Sequence, residues 1–247
     1  MTDDLLVAAS GGVLTLTLNR PQARNAVTVA IANAMVEAID AFDRDDELRV
    51  AVVTGAGGSF CAGMDLKRFA AGEVPRIPGR GFAGLTARPP RKPLIAAVEG
   101  YALAGGFEIV LAADLVVASE QARFALSEVK HGLTAGSGLV RLPRRLPRNV
   151  AMEFALTGDM LGAQRLYELG LVNRLAKPGQ ALEEALVLAR AIAGHRGAAV
   201  LACKRVVDES VHWPAEELFE RQARITDPVS LSTEGREGAL AFANRKH

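Results

Sequence analysis

Two glutamates, Glu108 and Glu128, follow two glycine-containing loops, residues 59–66 (SFCAGMDL) and 100–108 (GYALAGGFE). Small residues let a backbone approach a ligand closely, and amides that open a helix point their N–H groups outward. Two such amides can hold a developing oxyanion, and two carboxylates beside it can move protons on and off the adjacent carbons. The combination indicates chemistry on a carbonyl compound through an enolate.

The two candidate amides belong to Met64 and Gly105. The first loop follows a predicted strand and precedes a predicted helix, so the Met64 N–H can face a pocket at a helix start. The alternative is a tight turn that needs Gly63 for a positive φ and nothing more. Gly105 and Gly106 open a second helix after a strand, without the G-x-G-x-x-G spacing of a dinucleotide site.

Each acid also has a plainer explanation. Glu108 lies in the first turn of a predicted helix, where the helix dipole alone would accommodate it. Glu128 begins an irregular glycine-rich passage, residues 128–138, and is open to interpretation as a surface acid. If the two carboxylates are close, their repulsion raises one pKa, and this separates a base from an acid.

Other catalytic classes are poorly supported. The four histidines form no H-x-x-x-H pair and there is no cysteine cluster, so a metal site is not expected. No serine lies in a G-x-S-x-G elbow, and Cys61 is interpreted as a buried structural thiol. A basic stripe is interpreted as a surface or subunit contact, with a phosphate or RNA contact as the alternative; it contains Arg141, Arg144, Arg145 and Arg148.

Composition limits the partners and the compartment. The chain has 247 residues, of which 49% are hydrophobic, with 29 basic and 28 acidic side chains and a formal charge of +1. This balance argues against nucleic acid and anionic membranes as partners. Two cysteines make no disulfide framework, no run approaches the ~20 apolar residues of a membrane span, and the acidic N-terminus does not resemble a signal peptide. We expect a cytoplasmic protein.

Alternating strand and helix patterns predict an α/β fold. Strands are predicted at 5–8, 13–18, 49–54, 94–98 and 115–118, with a helix capped by Thr28 after the first hairpin. Residues 72–91 are so rich in proline and glycine that a mobile loop or lid is expected. Only helices are predicted after residue 177, which suggests an α/β core at 1–177 and a helical region at 178–247 that packs on the core and on neighbouring subunits.

The chain resembles the crotonase family, the enoyl-CoA hydratase/isomerase superfamily. The resemblance spans nearly the whole sequence through segments 24–26, 60–66, 100–108, 124–138, 170–173 and 232–246. It implies a crotonase-like spiral of ββα units, with C-terminal helices that build a homotrimer or, as a dimer of trimers, a homohexamer.

The resemblance also implies a site. The backbone amides of Met64 and Gly105 would form the oxyanion hole for an acyl-CoA thioester. Residues of both loops and of segment 24–26 would bind the substrate and coenzyme A: Arg24 near the phosphates, Ala26 and Ala62 through backbone groups, Asp65 and Leu66 beside the pantetheine and acyl groups, and Gly106.

Glutamate at both catalytic positions, Glu108 and Glu128, resembles the hydratases of the family. The implied reaction adds water across the C2–C3 double bond of a trans-2-enoyl-CoA without a metal or redox cofactor. The alternatives are a Δ3,Δ2-enoyl-CoA isomerase that uses Glu128 alone, and a non-catalytic acyl-CoA- or RNA-binding protein. Acyl specificity is not implied, because residues 72–91 follow no family pattern.

Overall fold

The computed structural model describes residues 2–244. The strands are β1 (Leu5–Ser10), β2 (Val13–Leu18), β3 (Val50–Gly55), β4 (Arg76–Ile77), β5 (Gly81–Phe82), β6 (Leu94–Val98), β7 (Tyr101–Leu103), β8 (Leu115–Ser119), β9 (Arg123–Ala125), β10 (Leu161–Gly162) and β11 (Arg174–Ala176). The α-helices are α1 (Val29–Arg44), α2 (Leu66–Ala70), α3 (Gly105–Ala112), α4 (Ser137–Arg145), α5 (Arg148–Thr157), α6 (Ala163–Glu168), α7 (Ala181–Ala193), α8 (Gly197–Ser210), α9 (Leu218–Ser230) and α10 (Thr233–Ala243).

A six-stranded sheet forms the largest layer, in the order β1-β2-β3-β6-β8-β11. β1 and β2 make the predicted antiparallel hairpin, and the later neighbours all pair in parallel. Every residue of β6 is buried, which is the continuous apolar pattern of a parallel strand covered on both faces. The predicted α/β class therefore rests on apolar runs that only a two-sided core can bury.

A smaller sheet carries the segments that matter for chemistry. Its order is β10-β9-β7, with β7 and β9 parallel to each other. Cys61, outside any named strand, forms a further parallel bridge to Ala102 in the middle of β7. Three stretches of chain from distant parts of the sequence thus run side by side in one direction.

Helix α3 is buried along its whole length, Gly105 to Ala112. The Phe107 ring packs between Phe124 and Phe154, with ring centroids 5.5 Å and 5.4 Å away. Such tilted aromatic contacts fix the rotation of the helix about its axis. This explains why Glu108 lies among apolar residues: it belongs to a core helix, and its carboxylate must find its partners inside the protein.

Asn25 fixes the loop that leads to Met64. Its backbone is left-handed, at φ 58°, and the residue is fully buried. The side-chain amide donates to the carbonyl oxygens of Ala56 and Ser59 at 2.8 Å and 2.7 Å, and Oδ1 accepts from the Arg20 N–H at 2.9 Å. A single side chain therefore joins the loop after β2 to the loop after β3.

The predicted hairpin and the Thr28 cap are confirmed; the Thr28 hydroxyl accepts from the Ile31 N–H at 3.3 Å. Two irregular passages are more ordered than predicted. Residues 72–91 contain the β4–β5 hairpin, because Gly79 and Gly81 take positive φ and allow a tight reversal. The passage 128–138 contains a 3-10 helix and the start of α4, a helix that tolerates an internal Pro143.

The chain divides into two units by its internal packing, with the division between Arg190 and Ala191. The second unit contains α8, α9 and α10, and within it Arg196 pairs with Glu234 at 3.3 Å. The predicted organisation, with a boundary after residue 177, stays a prediction. The last three residues of the predicted helical region, and two residues of segment 232–246, lie outside the described residues.

Within residues 2–244, no single helix is both long and apolar enough to cross a bilayer. The successive helices α7 and α8 reach the required length and hydropathy only when the two are taken together, and they are bent at the break between them.

Replacing Asn25 by aspartate should destabilise the protein. The carboxylate would place an acceptor against two buried carbonyl oxygens, so we expect a loss of about 3 kcal/mol or more in unfolding free energy. For a chain of this length that corresponds to roughly 6 °C or more in Tm. Asn19→Asp is the matched control, since Asn19 donates one exposed hydrogen bond, to the Asp3 carbonyl oxygen. Equal Tm values for the two variants would contradict the anchoring role of Asn25.

Candidate active site

The parallel arrangement of the smaller sheet brings the predicted site segments to one edge. Cys61 N–H donates to the Tyr101 carbonyl at 2.9 Å, Leu103 N–H donates back to the Cys61 carbonyl at 2.9 Å, and Ala104 N–H donates to the Ala125 carbonyl at 2.8 Å. Beyond these pairs the chain continues to Met64, to Glu108 and to Glu128. Because all three segments run the same way, their carboxyl ends lie at the same edge of the sheet.

Glycine is required where the two loops meet. A methyl group on Gly63 would lie 2.9 Å from Ala104 Cβ and 3.2 Å from Gly105 N, and the φ of Gly63 is +96°. A methyl group on Gly106 would lie 2.1 Å from the Cys61 carbonyl oxygen. Gly63 is thus required both by the positive φ of the tight turn and by the close approach of the two loops.

The Met64 and Gly105 amides are available as donors. Among the hydrogen bonds of the described residues, neither N–H has an acceptor. Val27 bridges the chain on either side of Met64, accepting from Asp65 N–H at 3.1 Å and donating to Gly63 O at 2.8 Å. In a parallel bridge of this kind the intervening amide points away from its partner strand. Gly105 is the first residue of α3, where the helix leaves its N–H without an internal acceptor.

Glu108 is 3% exposed, and its carboxylate is held from both sides. One oxygen accepts a hydrogen bond from the Gly136 N–H, and the other accepts from the Ser137 hydroxyl at 3.1 Å. Both donors belong to the start of α4, which the sequence reading did not identify. The signal was present as Gly-Ser-Gly at 136–138, since a helix start supplies N–H and hydroxyl donors to an anion.

Glu128 lies in the 3-10 helix after β9 and is held differently. Its Oε2 is buried and has no hydrogen-bond partner among the described residues. The pKa of this carboxyl is raised from about 4.5 to about 7, chiefly by burial and also by the negative charge of Glu108, against a hydrogen bond from its own backbone N–H that lowers it. Two acids within electrostatic reach of each other therefore differ in their surroundings, and Glu128 holds its proton up to near neutral pH.

A cavity of about 510 Å³ opens beside Glu108. Glu108, Gly136 and Ser137 line one part of it, and residues of 76–87 and of α4 line the rest. Met64, Gly105 and Glu128 do not line this cavity themselves. Phe82, which does, packs over Gly105: a methyl group there would lie 2.4 Å from the Phe82 ring. Residues 72–91 are thus a wall of the cavity beside Glu108.

The residues predicted to bind coenzyme A form a neighbouring group. Ala62 N–H donates to the Arg24 carbonyl at 3.0 Å, and Arg20 Nη1 donates to the Ala26 carbonyl at 2.8 Å and to Asp65 Oδ2 at 3.0 Å. The Arg24 side chain is exposed, and its backbone is left-handed at φ 48°. The segments 24–26 and 62–65 are therefore in contact.

Asp65 and Leu66 begin α2. The Asp65 carboxylate caps the helix by accepting from Lys67 N–H and Arg68 N–H at 3.2 Å and 3.3 Å, while Leu66 is 53% exposed. The capping and the Arg20 pair give Asp65 a structural function, and its predicted place beside a bound substrate stays a prediction.

Cys61 is buried, and this burial raises the pKa of its thiol to about 12. Its sulfur accepts from the Gly63 N–H at 3.3 Å. A thiol that stays protonated is a poor nucleophile, which agrees with the structural interpretation.

Two arginines of the predicted basic stripe donate hydrogen bonds to backbone carbonyl oxygens. Arg141 donates twice to the Thr86 carbonyl, at 3.1 Å and 2.9 Å. Arg145 donates to the carbonyls of Leu111 and Ala113, at 3.3 Å and 2.7 Å, where α3 ends. Helix α4 is thereby tied both to the cavity wall and to the helix that carries Glu108.

Titration of Glu128 should follow its surroundings. Its folded pKa lies above the unfolded value, so the stability that its proton confers is full below about pH 4.5 and is lost as the pH rises through about 7. Infrared difference spectra against Glu128→Gln should show a protonated carboxyl that disappears near pH 7. Glu108→Gln should lower that midpoint, because one cause of the shift is removed, while burial keeps it above 4.5. An unchanged midpoint in Glu108→Gln would show that the two acids do not interact.

Comparisons with known proteins agree with this fold. Residues 8–247 match the family model described as enoyl-CoA hydratase/isomerase. The enoyl-CoA hydratase EchA19 of Mycobacterium tuberculosis is 42% identical over 98% of this chain and 94% of that protein. A carnitinyl-CoA dehydratase of Salmonella arizonae is 40% identical over 100% of this chain and 97% of that protein.

Solved structures are more similar still. An enoyl-CoA hydratase from Mycobacterium tuberculosis H37Rv superposes with a TM-score of 0.96 at 53% identity, covering 99% of this chain and 97% of that one. One from Mycobacterium marinum gives a TM-score of 0.95 at 51% identity, over the same shares of the two chains. The predicted crotonase-like fold is confirmed, and the chain belongs to the enoyl-CoA hydratase/isomerase family, the crotonases.

Proposed function

We propose that this protein is an enoyl-CoA hydratase that adds water across the C2–C3 double bond of a trans-2-enoyl-CoA to give a 3-hydroxyacyl-CoA. The observation that carries the proposal is the contrast between two interacting carboxylates. Glu108 accepts two hydrogen bonds, whereas Glu128 has a buried oxygen without a partner and a raised pKa. Hydration needs such a contrast, because one group must take a proton from water while another gives a proton to carbon.

The amides of Met64 and Gly105 polarise the thioester carbonyl. As water adds to C3, negative charge moves through C2 to the carbonyl oxygen, and two fixed N–H donors stabilise it there. Donors of this kind each contribute typically ~2.7–4 kcal/mol to lowering a barrier. The exact fit of the two loops at Gly63 supports this role, because it holds both amides close together.

Glu108 is the base. Its hydrogen bonds from Gly136 and Ser137 fix the position of the carboxylate, so it orients water for attack at C3 and takes the proton. Glu128 is the acid: its raised pKa keeps a proton available for C2 near neutral pH. In dehydration the two roles reverse, as microscopic reversibility requires.

The substrate is a coenzyme A thioester. Arg24 contacts the phosphates, Ala26 and Ala62 offer backbone groups, and Gly106 lies beside the bound acyl thioester with Asp65 and Leu66. The contact between segments 24–26 and 62–65 supports a shared binding surface. The reaction requires neither a metal nor a redox cofactor, since the thioester itself accepts the developing charge.

Self-association is part of the proposal. The second unit exposes large apolar side chains, with Phe219 82%, Phe242 73% and Val211 72% exposed. Apolar surface of this extent is typical of a subunit contact. We therefore propose a homotrimer or a homohexamer in the cytoplasm, with no nucleic-acid or membrane partner.

Conservative replacement of either acid tests the mechanism. Glu108→Gln and Glu128→Gln should each lower kcat for hydration of a short trans-2-enoyl-CoA by roughly 100- to 10,000-fold, the usual contribution of a general acid or base. Product formation is followed by chromatography of the thioesters. Glu120→Gln, at an exposed glutamate, is the control and should keep full activity.

Two other outcomes would overturn the hydratase assignment. Migration of a 3-enoyl double bond to C2, without hydroxyacyl product and unaffected by Glu108→Gln, would identify an isomerase. Binding of acyl-CoA without turnover of any enoyl thioester would identify a non-catalytic member of the family.

Introducing a charge at Phe219 should weaken the assembly. Light scattering should give the mass of a trimer or hexamer for the unmodified protein, and a shift toward the monomer for Phe219→Glu, because a carboxylate would be buried in an apolar contact. Gln222→Glu adds the same charge to an exposed polar position of α9 and should leave the mass unchanged. A monomer in the unmodified protein would refute the proposed association.

A further inference from the structure

The cavity beside Glu108 is strongly basic. Three arginines line it, Arg76, Arg141 and Arg144, against a single carboxylate, Glu108. A cavity for a simple hydrocarbon chain would be lined mainly by apolar side chains. Here Phe82 and Val140 supply large apolar surface, and the guanidinium groups make the cavity attractive to a negative charge.

Thr86 supplies a second polar feature of the same cavity. The residue is fully buried and lines the cavity, and its Oγ1 has no hydrogen-bond partner among the described residues. Buried hydroxyls in folded proteins nearly always have a partner, so the unpartnered hydroxyl of this cavity-lining residue is a candidate donor to a ligand. A hydroxyl can donate to a carboxylate oxygen, as can the neighbouring guanidinium groups.

Arg76 places its charge close to the carboxylate of Glu108. A methyl group on Gly136 would lie 3.5 Å from Arg76 Nη2 and 3.5 Å from Glu108 Oε1, so both groups reach the same point. Both Glu108 oxygens already accept hydrogen bonds from Gly136 and Ser137. Within residues 2–244 the Arg76 guanidinium has neither a hydrogen bond nor an ion pair, which leaves it available to a ligand.

We propose that this cavity recognises an acyl chain ending in a carboxylate, so that the preferred substrate is the mono-CoA thioester of a short 2-enedioic acid. This inference rests on the proposed function, since it places the acyl group of the enoyl thioester in the cavity beside Glu108. Arg76 binds the free carboxylate a few atoms beyond C3, and the Thr86 hydroxyl donates to the same group. Guanidinium is the cation best suited to such a planar anion.

The same charges disfavour a cationic acyl chain. Relatives at about 40% identity are named carnitinyl-CoA dehydratases, and a carnitinyl group carries a trimethylammonium cation. In this cavity that cation would face three guanidinium groups at close range, where like charges repel. Arg76, whose Nη2 reaches the same point beside Gly136 as Glu108 Oε1, belongs to the segment 72–91.

Binding of saturated thioesters tests the proposal without any turnover. Calorimetry compares glutaryl-CoA, butyryl-CoA and 4-trimethylammoniobutyryl-CoA, which share a chain and differ at its end. The carboxylate should bind about tenfold or more tightly than the uncharged chain, as a charged hydrogen bond predicts, and the cation should bind most weakly. Similar affinities for all three would refute the proposal even if the protein proved to be an active hydratase.

Variants locate the preference. Arg76→Gln should remove most of the advantage of glutaryl-CoA over butyryl-CoA, and Thr86→Val should reduce it several-fold while keeping side-chain size. Arg76→Glu should invert the order and favour the cation. Arg88→Gln is the control: Arg88 is exposed on the same segment, outside the cavity lining, and should leave the order unchanged.

Turnover distinguishes recognition of the acyl end from support of Glu108. With crotonyl-CoA and 4-carboxybut-2-enoyl-CoA as substrates, Arg76→Gln should lower kcat/KM for the second about tenfold or more relative to the first. An equal loss on both would show that Arg76 serves Glu108 and would overturn the proposal. Absence of hydration with either substrate would refute the proposed function instead, while the binding order still decides the recognition of the carboxylate.

Discussion

The parallel pairing of three short segments is the constraint on which the site depends. Cys61, β7 and β9 lie side by side through backbone hydrogen bonds, and each is followed within a few residues by one part of the machinery. The register of this pairing is strongly specified because its central residues are buried, and a shift by one residue would turn every side chain to the other face. The two amides and the two acids are therefore positioned by main chain, and the side chains adjust only locally.

The difference between the acids comes from their partners, since both are glutamates in an apolar setting. The start of helix α4 lies beside Glu108 and supplies two hydrogen-bond donors to its carboxylate, whereas no described residue supplies a donor to the buried Oε2 of Glu128. Desolvation without hydrogen bonds favours the protonated form of a carboxyl group, and donated hydrogen bonds favour the ionised form. In the proposed mechanism, an acid and a base arise from one residue type through the placement of a single helix start.

The segment 72–91 connects the paired segments of the smaller sheet to the wall of the cavity beside Glu108. Glycines at 79 and 81 let it fold back as a short hairpin, and Arg141 holds it to α4 through the Thr86 carbonyl. The hairpin brings Phe82 over Gly105 and carries Arg76 and Thr86 to the cavity. A segment fixed at these points forms part of the wall of the cavity beside Glu108, which the proposed function assigns to the acyl group.

The sequence by itself determined the α/β class, the first hairpin, the capped helix, the two glycine loops and the family resemblance, because these depend on local periodicity, turn chemistry and motif. It did not determine β7, the α4 start with Gly136 and Ser137, or the order in 72–91. The first two depend on contacts between residues 22 or more positions apart, as between Tyr101 and Arg123 or Glu108 and Gly136, and the third also depends on the contact of Thr86 with Arg141; no local pattern encodes these contacts. Which glutamate keeps its proton was likewise decided only by tertiary structure, because burial and hydrogen-bond donors set a pKa and both are products of packing.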